Sequence, residues 1–385
     1  MDKTSYHKFQ LALQYFLYYG IVGIHLPYLN LYFRYIGFSG REIGTVASLR
    51  TLCIIIFPLL WGMIADKFKM RKTIYVMCNV ASAVLWGLYL FTTGFMPIAA
   101  VTFAFAAFYS PIIAFLEAFS MDILGRAKKS YGKIRLWGSI SFVAVVLVLG
   151  KIISGGDIKI IIPLSLGLML FMAVLSFFFP KTEIHGPEFT LKSASFFLKP
   201  DVALFLLSAV MMLASHGAYY GFLSIKLSSE GASASYIGIV WAVGSASEIL
   251  VMLYSKELFK RIKIETVLVW SFAFAALRWL IVCYLGDQPV FMILSQLLHA
   301  VTYGCFHMAC ILFTDKVSDE GVKTLAQSVN NSVSYGLGLM AGIFTCGFFY
   351  DRFQNLVFLG CSIVAVAGGF TMKAAMKAHS TFIIE

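Results

Sequence analysis

Long apolar runs dominate the chain and restrict its fold more than any other feature. A membrane-spanning helix needs about 20 mainly apolar residues, and the sequence contains twelve runs of roughly this length, at 8–33, 43–65, 73–94, 97–121, 134–153, 159–179, 201–225, 235–255, 264–285, 289–313, 324–349 and 353–376. Only α-helices and closed β-barrels cross a bilayer, because every backbone polar group must be satisfied inside it. The runs are too uniformly apolar for barrel strands, which alternate with a period of two. The sequence therefore predicts an all-α membrane protein with twelve transmembrane helices.

Composition and charge agree with this class. The chain is 60% hydrophobic and 13% charged, whereas a soluble domain is about 25% charged. The net charge of +11 does not indicate a nucleic-acid partner, because the basic residues fall in short loops between apolar runs. Most of them lie on the side that holds both termini, so the positive-inside rule places both termini in the cytoplasm. We expect an integral protein of a bacterial inner (plasma) membrane, with the lipid bilayer as its surroundings.

The longest connection between apolar runs lies near residues 180–200 and contains three prolines, Pro180, Pro187 and Pro200. It divides the chain into an N-terminal six-helix half at 1–180, a cytoplasmic linker at 181–200 and a C-terminal six-helix half at 201–385. Two six-helix halves are typical of secondary transporters, whose binding sites lie near the bilayer midplane.

Five charged residues interrupt the apolar runs: Arg50, Glu117, Arg135, Glu248 and Arg278. One such charge at the centre of a membrane helix costs about 2.5–3.5 kcal/mol on insertion scales. A charge kept at that cost usually faces a partner or a water-filled cavity, so each is a candidate functional residue. Arg50 lies early in the second run, where it can snorkel or line an outer vestibule, and the sequence assigns it no firm role.

The segment from Gly62 to Lys72, GMIADKFKMRK, resembles the signature loop between helices two and three of the major facilitator superfamily. The resemblance implies that Gly62, Asp66 and Arg71 belong to a conformational motif. We expect Gly62 to allow close helix approach, Asp66 to cap or pair with a neighbouring helix end, and the basic residues to keep the loop in the cytoplasm.

A second pair of segments is more specific. Glu117-Ala118-Phe119 and the run from Tyr131 to Gly138 resemble the helix four and five region of the lactose-permease-like oligosaccharide:proton symporters, and still more the phenylpropionate-permease branch. The resemblance implies that Glu117 and Arg135 bind substrate, and an Arg fork can hold a carboxylate or substrate oxygens in bidentate fashion. A purely structural ion pair between the two helices is the alternative. The segment from Gly23 to Tyr28 also resembles the first helix of this group.

Arg278 and Leu298-His299 resemble helices nine and ten of the same group, which carry its proton-coupling residues. The chain departs from the lactose-permease pattern three residues after His299, where Thr302 replaces the carboxylate that takes the proton. If protons drive transport, another group must carry them.

Glu248 is the first candidate for that proton carrier, and Glu117 is the second. Glu248 shares one helix face with Trp241 and Ser245, because the spacing is three to four residues. A carboxyl group in apolar surroundings can load and release protons near neutral pH. A structural role for Glu248 is the alternative.

Polar residues also form stripes on several apolar helices, as Gln296, His299, Tyr303 and His307 do in the tenth run. Each stripe alone fits interhelical hydrogen bonding, but together they favour a central cavity. We predict a substrate-binding set of Glu117, Arg135, Trp137, His25, Tyr28, His216, Tyr220, Trp241 and Asn331. We predict a proton-coupling set of Glu248, His299, Arg278 and Tyr303.

These observations predict a proton-coupled symporter that imports a small organic solute by alternating access. The charges inside the runs are three Arg and two Glu, which favours an organic anion, and Trp137, Tyr28 and Trp279 could pack an aromatic ring. A sugar or nucleoside symporter and a drug-efflux antiporter remain alternatives. We expect a monomer that is not an enzyme, with no metal or other cofactor and with the proton as coupling ion; the seven cysteines show no metal-ligand spacing.

Overall fold

The computed structural model describes residues 3–125, 131–180, 196–318 and 322–382, and these are almost entirely helical. The α-helices are α1 Lys3–Tyr35, α2 Gly40–Lys67, α3 Arg71–Gly87, α4 Phe95–Tyr109, α5 Pro111–Leu124, α6 Tyr131–Ser154, α7 Ile161–Ser176, α8 Pro200–Ser215, α9 Gly217–Ser229, α10 Ala234–Arg261, α11 Ile264–Tyr284, α12 Pro289–Leu297, α13 Phe306–Val317, α14 Lys323–Asn330, α15 Leu339–Phe353 and α16 Val357–Phe382. Short 3₁₀ turns occur at Leu88–Phe91, Ile158–Ile160 and Gln354–Leu356.

Several of these helices continue one another as broken rods. Pro111 begins α5 directly after Ser110, where the missing N–H of a proline at a helix start is tolerated. A residue between α8 and α9, His216, marks a second break. Two π-helical segments, Ala300–Cys305 and Asn331–Gly338, join α12 to α13 and α14 to α15. With these rods joined, the described helices agree with the twelve predicted spans.

The described part of the chain contains ten helical stretches long and apolar enough to cross a membrane. The last of these stretches, Leu325–His379, contains two successive rods. The helix α1 is not among the ten stretches. Many large apolar side chains are exposed, among them Phe91, Met96 and Leu253. Extensive apolar exposure is unusual for a soluble protein and fits helices that face lipid.

The chain forms two compact units. Unit 1 comprises Met1–Phe38, Thr45–Pro187 and Ala232–Ala242, and unit 2 comprises Ser39–Gly44, Glu188–Gly231 and Val243–Glu385. Residues 181–195 of the predicted linker lie outside the described residues, so the boundaries proposed from the sequence stay predictions.

Small residues bring helices close together inside each unit. In unit 1, α1 packs along α6, and a Cβ on Gly20 would lie 2.9 Å from the Ser141 hydroxyl. In unit 2, α8 and α11 pack on α16 while α9 packs on α15, and a Cβ on Gly342 would collide with the backbone of Ala214. Close backbone approach at small residues is how membrane helices associate without a hydrophobic driving force between them.

Candidate functional site

Arg278, on α11 in unit 2, is fully buried and lies at the centre of a polar network. Its Nη1 donates to Nδ1 of His299 at 2.7 Å and to Oγ1 of Thr302 at 3.1 Å. Its Nη2 donates to Oε1 of Gln296 at 3.2 Å. Three side chains of the rod formed by α12, the first π segment and α13 therefore surround the guanidinium. Gln296 and His299 belong to the polar stripe predicted from the sequence.

The bond from Arg278 determines which ring nitrogen of His299 carries the hydrogen. A guanidinium donates and never accepts, so Nδ1 must be the acceptor. The hydrogen then resides on Nε2, which lies 2.6 Å from Oε1 of Glu248 and donates to it. His299 is thus neutral in this arrangement and joins Arg278 to Glu248. The carboxyl group of Glu248 is left as the member of the network that can take up or release a proton.

Thr302 stands where the resemblance leads one to expect a carboxylate, and its hydroxyl accepts a hydrogen bond from Arg278. The carboxylate of this network is instead that of Glu248 on α10, which contacts His299. Thr302 and Tyr303 both lie in the π-helical segment Ala300–Cys305, and such segments are frequent at functional sites. The ring of Tyr303 stacks on His299 with centroids 5.1 Å apart.

Aromatic rings cover the Arg278 guanidinium. Its central carbon lies 4.5 Å from the ring centroid of Tyr219 and 4.6 Å from that of Trp279, distances at which cation–π attraction operates. We define the Arg278 cluster as Arg278, Gln296, His299, Thr302, Glu248, Tyr219 and Trp279. The rings hold the guanidinium in one orientation, in which its N–H groups point toward Gln296, His299 and Thr302.

Two predicted substrate-binding residues lie against the Arg278 cluster. His216 is fully buried, and its ring meets Trp279 edge-on at 4.9 Å. Tyr220 is half-buried, with its ring 6.4 Å from that of His299. The sequence predicted that the polar residues of these helices face a common cavity, and the rings of His216 and Tyr220 both lie within 6.4 Å of the His299 ring.

Within the described part of the chain, Asn331 makes no hydrogen bond or ring contact with the Arg278 cluster. Asn331 is exposed at the start of the second π-helical segment. Trp241 is almost fully buried within unit 1. A residue that sequence reasoning missed, Tyr335, lies in the second π segment and has its hydroxyl 2.6 Å from Nδ1 of His307.

Arg135, on α6 in unit 1, lies against two tyrosines of α1. Its guanidinium carbon is 3.8 Å from the ring centroid of Tyr19 and 5.7 Å from that of Tyr15. Tyr131 interacts electrostatically with both Arg135 and Glu117. We define the Arg135 cluster as Arg135, Glu117, Tyr15, Tyr19 and Tyr131.

Glu117 and Arg135 attract each other but, within the described parts of the chain, do not form a direct ion pair. The Glu117 side chain is exposed and Arg135 is half-buried. This arrangement differs from the direct ion pair that the sequence left as the alternative, because Tyr131 interacts with both side chains.

The tyrosines beside Arg135 include residues that the sequence prediction missed. Tyr15, Tyr18 and Tyr19 are three and four positions apart, so they share one face of α1. Tyr18 stacks on Tyr109 of α4 with centroids 5.1 Å apart. The aromatic spacing in the first apolar run was the available signal.

The other predicted binding residues of unit 1 lie in different environments. Tyr28 is fully buried, and its hydroxyl faces the backbone oxygens of Val146 and Ala234 at 3.0 Å and 3.2 Å, an arrangement that suits helix packing. His25 is buried and stacks on Trp86 at 4.2 Å. Trp137 is exposed, and no ring contact among the described residues joins it to the Arg135 cluster.

Arg50 lies in unit 1 as well, half-buried on α2. It interacts electrostatically with His25 on α1 and with Tyr89 and Tyr109. Its neighbours are therefore buried aromatic side chains of the same unit.

The predicted conformational motif forms a charged junction at one end of unit 1. Nη1 of Arg71 donates to Oδ2 of Asp122 at 2.6 Å, and Nη2 lies 3.9 Å from Asp66. These contacts connect the start of α3 to the ends of α2 and α5. The expectation that Gly62 brings two helices together is wrong in this arrangement, because a Cβ on Gly62 would meet no described atom within 4 Å.

The helical rods, the Arg71 junction and the buried charged networks together fit one family. Residues 8–359 match the family model of the MFS_1 like family. The chain belongs to this family. It is therefore a membrane transporter of the major facilitator superfamily.

Relatives of the chain have several different substrates in their names. A probable 3-phenylpropionic acid transporter of Escherichia coli is 27% identical, over 94% of this chain and 96% of that protein. A maltose permease of Geobacillus stearothermophilus is 24% identical, over 97% and 96%. The crystal structure of the nucleoside transporter NupG matches with a TM-score of 0.87 at 20% identity, over 98% of this chain and 100% of that one, which shows the shared fold.

Proposed function

We propose that the protein is a proton-coupled symporter that imports a small organic acid, aromatic in the simplest case, by alternating access. The proposal places it in a bacterial inner membrane with both termini in the cytoplasm and uses the proton as the only coupling ion.

The observation that carries proton coupling is the line from Arg278 through His299 to Glu248. His299 cannot bind a second proton at Nδ1 while Arg278 donates there, so Glu248 is the group that changes its protonation. Protonation of Glu248 removes the charge at the Nε2 contact of 2.6 Å and weakens the hold of the network on α10. A proton can in this way bias the conformation of unit 2.

The charge balance favours an acid as the substrate. The five charged residues singled out within the apolar runs carry three guanidinium groups and two carboxylates, so a bound monoanion brings this set to neutrality. The aromatic rings around Arg135 offer flat apolar surfaces for a ring. The relative with 3-phenylpropionic acid in its name points in the same direction.

A sugar or nucleoside is the second candidate substrate. The exposed carboxylate of Glu117 can accept hydrogen bonds from hydroxyl groups, and relatives include a maltose permease and a nucleoside permease. Glu117 and the aromatic rings could bind either an acid or a neutral sugar or nucleoside, so transport measurements must decide between these substrate classes.

Flux into proteoliposomes tests both parts of the proposal. One proton and one monoanion carry no net charge, so uptake of 3-phenylpropionate should follow an imposed pH gradient, about tenfold accumulation per pH unit. It should not respond to a potassium diffusion potential. A neutral sugar or nucleoside with one proton would move charge, and 100 mV would then contribute about 2.3 kcal/mol.

The same experiment includes the outcomes that contradict the proposal. If the membrane potential drives accumulation of uridine or maltose, the substrate is a neutral molecule and the proposal of an acid is wrong. Proton-driven expulsion of the acid would make the protein an antiporter. Uptake that is indifferent to pH would refute proton coupling.

A further inference from the structure

Arg50 is distinguished from the other four membrane charges by its lack of partners. Arg278 and Glu248 share the network through His299, and Arg135 attracts Glu117 while it lies on Tyr19. Arg50 makes no hydrogen bond, ion pair or cation–π contact with any residue in the described ranges. Its known interactions are electrostatic ones, with His25, Tyr89 and Tyr109.

This difference identifies Arg50 as the membrane arginine whose positive charge is not balanced by one of the two membrane acids. The two acids are each associated with a different Arg, so the third guanidinium is the uncompensated one. An unpaired charge at membrane depth is costly, and an arginine fork is well suited to a carboxylate. Arg50 is only half-buried, so a small anion can reach it.

A second polar atom near Arg50 also lacks a partner. Nε2 of His25 is buried and makes no hydrogen bond to a described residue. The side chain as a whole has a relative exposure of only 6%. The same lack of a partner among the described residues holds for Nε2 of His216 and of His379, and each unsatisfied buried group carries a desolvation cost. An oxygen of a bound carboxylate would satisfy Nε2 of His25 when it carries the hydrogen.

Arg50 and His25 lie at matching depth on α2 and α1, which are consecutive helices of the chain. Arg50 is ten residues after the start of α2 at Gly40, and His25 is ten residues before the end of α1 at Tyr35. At 1.5 Å rise per residue, each is about 15 Å from its helix end. The spans are antiparallel, so these ends are on the same side.

The aromatic wall behind His25 keeps its ring in place. The His25 ring stacks on Trp86 at 4.2 Å and meets Phe105 edge-on at 6.0 Å. Trp86 in turn donates from Nε1 to the Ile162 carbonyl at 3.0 Å. A rigid wall pre-organises a binding group, which lowers the entropy lost on binding.

We propose that Arg50, assisted by Nε2 of His25, is the carboxylate-binding subsite for the transported acid. This inference rests on the proposed function, because it names the residues that recognise the anionic group. Arg50 supplies charge and a bidentate fork, and the compensated Arg135 cluster then contacts the remainder of the substrate. Arg50 is therefore the residue that selects acids over neutral molecules of the same shape.

The test compares 3-phenylpropionate with 3-phenylpropionamide, which keeps the shape and lacks the charge. Calorimetric Kd values are measured on the purified full chain in detergent for wild type, Arg50→Gln, Arg50→Lys, His25→Gln and Arg135→Gln. Arg261→Gln, at the exposed cytoplasmic end of α10, is the matched charge control. We expect Arg50→Gln to raise the Kd for the acid about tenfold to a hundredfold and to leave the amide unchanged.

The intermediate variants sharpen the result. Arg50→Lys keeps the charge and should lie between wild type and Arg50→Gln, and His25→Gln should weaken acid binding less than Arg50→Gln does. An equal loss of acid and amide binding in Arg50→Gln would show a structural role and overturn the inference. A selective loss of the acid in Arg135→Gln alone would move the subsite to Arg135.

The remaining outcomes separate the two proposals. If wild type binds the acid and Arg50→Gln binds it equally well, the inference fails while the proposed function stands. If wild type binds neither 3-phenylpropionate nor benzoate, and takes up neither in the flux experiment, the proposed function fails and the inference fails with it.

Discussion

The basic groups of units 1 and 2 are held in opposite ways. In unit 2 the Arg278 guanidinium donates to three side chains and is covered by two rings. In unit 1 Arg135 lies against the rings of Tyr19 and Tyr15 and forms no direct ion pair with Glu117, and Arg50 has no cation–π contact, hydrogen bond or ion pair among the described residues. A guanidinium that donates to several protein side chains suits a role within the protein, whereas a guanidinium with fewer such partners suits a molecule that binds and leaves. The comparison therefore supports our proposal that unit 2 carries proton coupling and unit 1 carries substrate recognition.

The largest effect is expected from Glu248→Gln. The amide cannot exchange a proton, so uphill uptake on a pH gradient should disappear, while exchange of internal for external substrate continues. Proteoliposome uptake and counterflow measure the two activities. Glu265→Gln is the matched control, since Glu265 pairs with Lys316 near the helix end and lies outside the Arg278 cluster. Retained accumulation by Glu248→Gln would break the assignment of coupling to unit 2.

Stability offers a second way to break the comparison. Arg278→Leu leaves three acceptors and a carboxylate without their cation, and removal of one partner from a buried charged network costs about 3–5 kcal/mol. Arg50→Leu removes a charge that has no hydrogen-bond or ion-pair partner among the described residues, so stability should stay the same or rise. Unfolding midpoints in detergent measure both. Equal destabilisation by the two variants would show that Arg50 is held as firmly as Arg278.

A smaller effect is expected from Arg135→Lys. The lysine keeps the charge but loses the planar fork and its stacking on Tyr19, so affinity for the acid should fall about tenfold, or 1.4 kcal/mol. Calorimetric titration measures the change, with Arg261→Lys as the control. Wild-type affinity in Arg135→Lys would remove Arg135 from the binding side of the comparison.

The smallest effect concerns Tyr28→Phe. Loss of the hydroxyl breaks a buried hydrogen bond to backbone, which should lower the free energy of unfolding by about 1 kcal/mol and leave the Kd for substrate unchanged. Tyr284→Phe, at an exposed position, should change neither quantity. A large rise in Kd with unchanged stability would return Tyr28 to the substrate-binding set.

The family, and the charged residues that the structure brings into the two clusters, could be predicted from the sequence for physical reasons. Apolar runs of about 20 residues have few alternatives in a membrane, so the helices could be predicted. A charged residue in such a run stands out against its surroundings, which is how Glu248, Arg278 and Arg135 were found. Tyr15 and Tyr19 were missed because an aromatic residue in an apolar run looks the same whether it packs or binds.

The chain by itself determined that this is a helical membrane transporter, because the apolar runs and the motif after Gly62 are local features. Only the tertiary structure decided how the charges are distributed among partners. It showed that His299 joins Arg278 to Glu248, that Glu117 and Arg135 form no direct ion pair, and that Nε2 of His25 is buried without a hydrogen-bond partner among the described residues. Pairing depends on contacts between distant segments, which spacing along one chain cannot report.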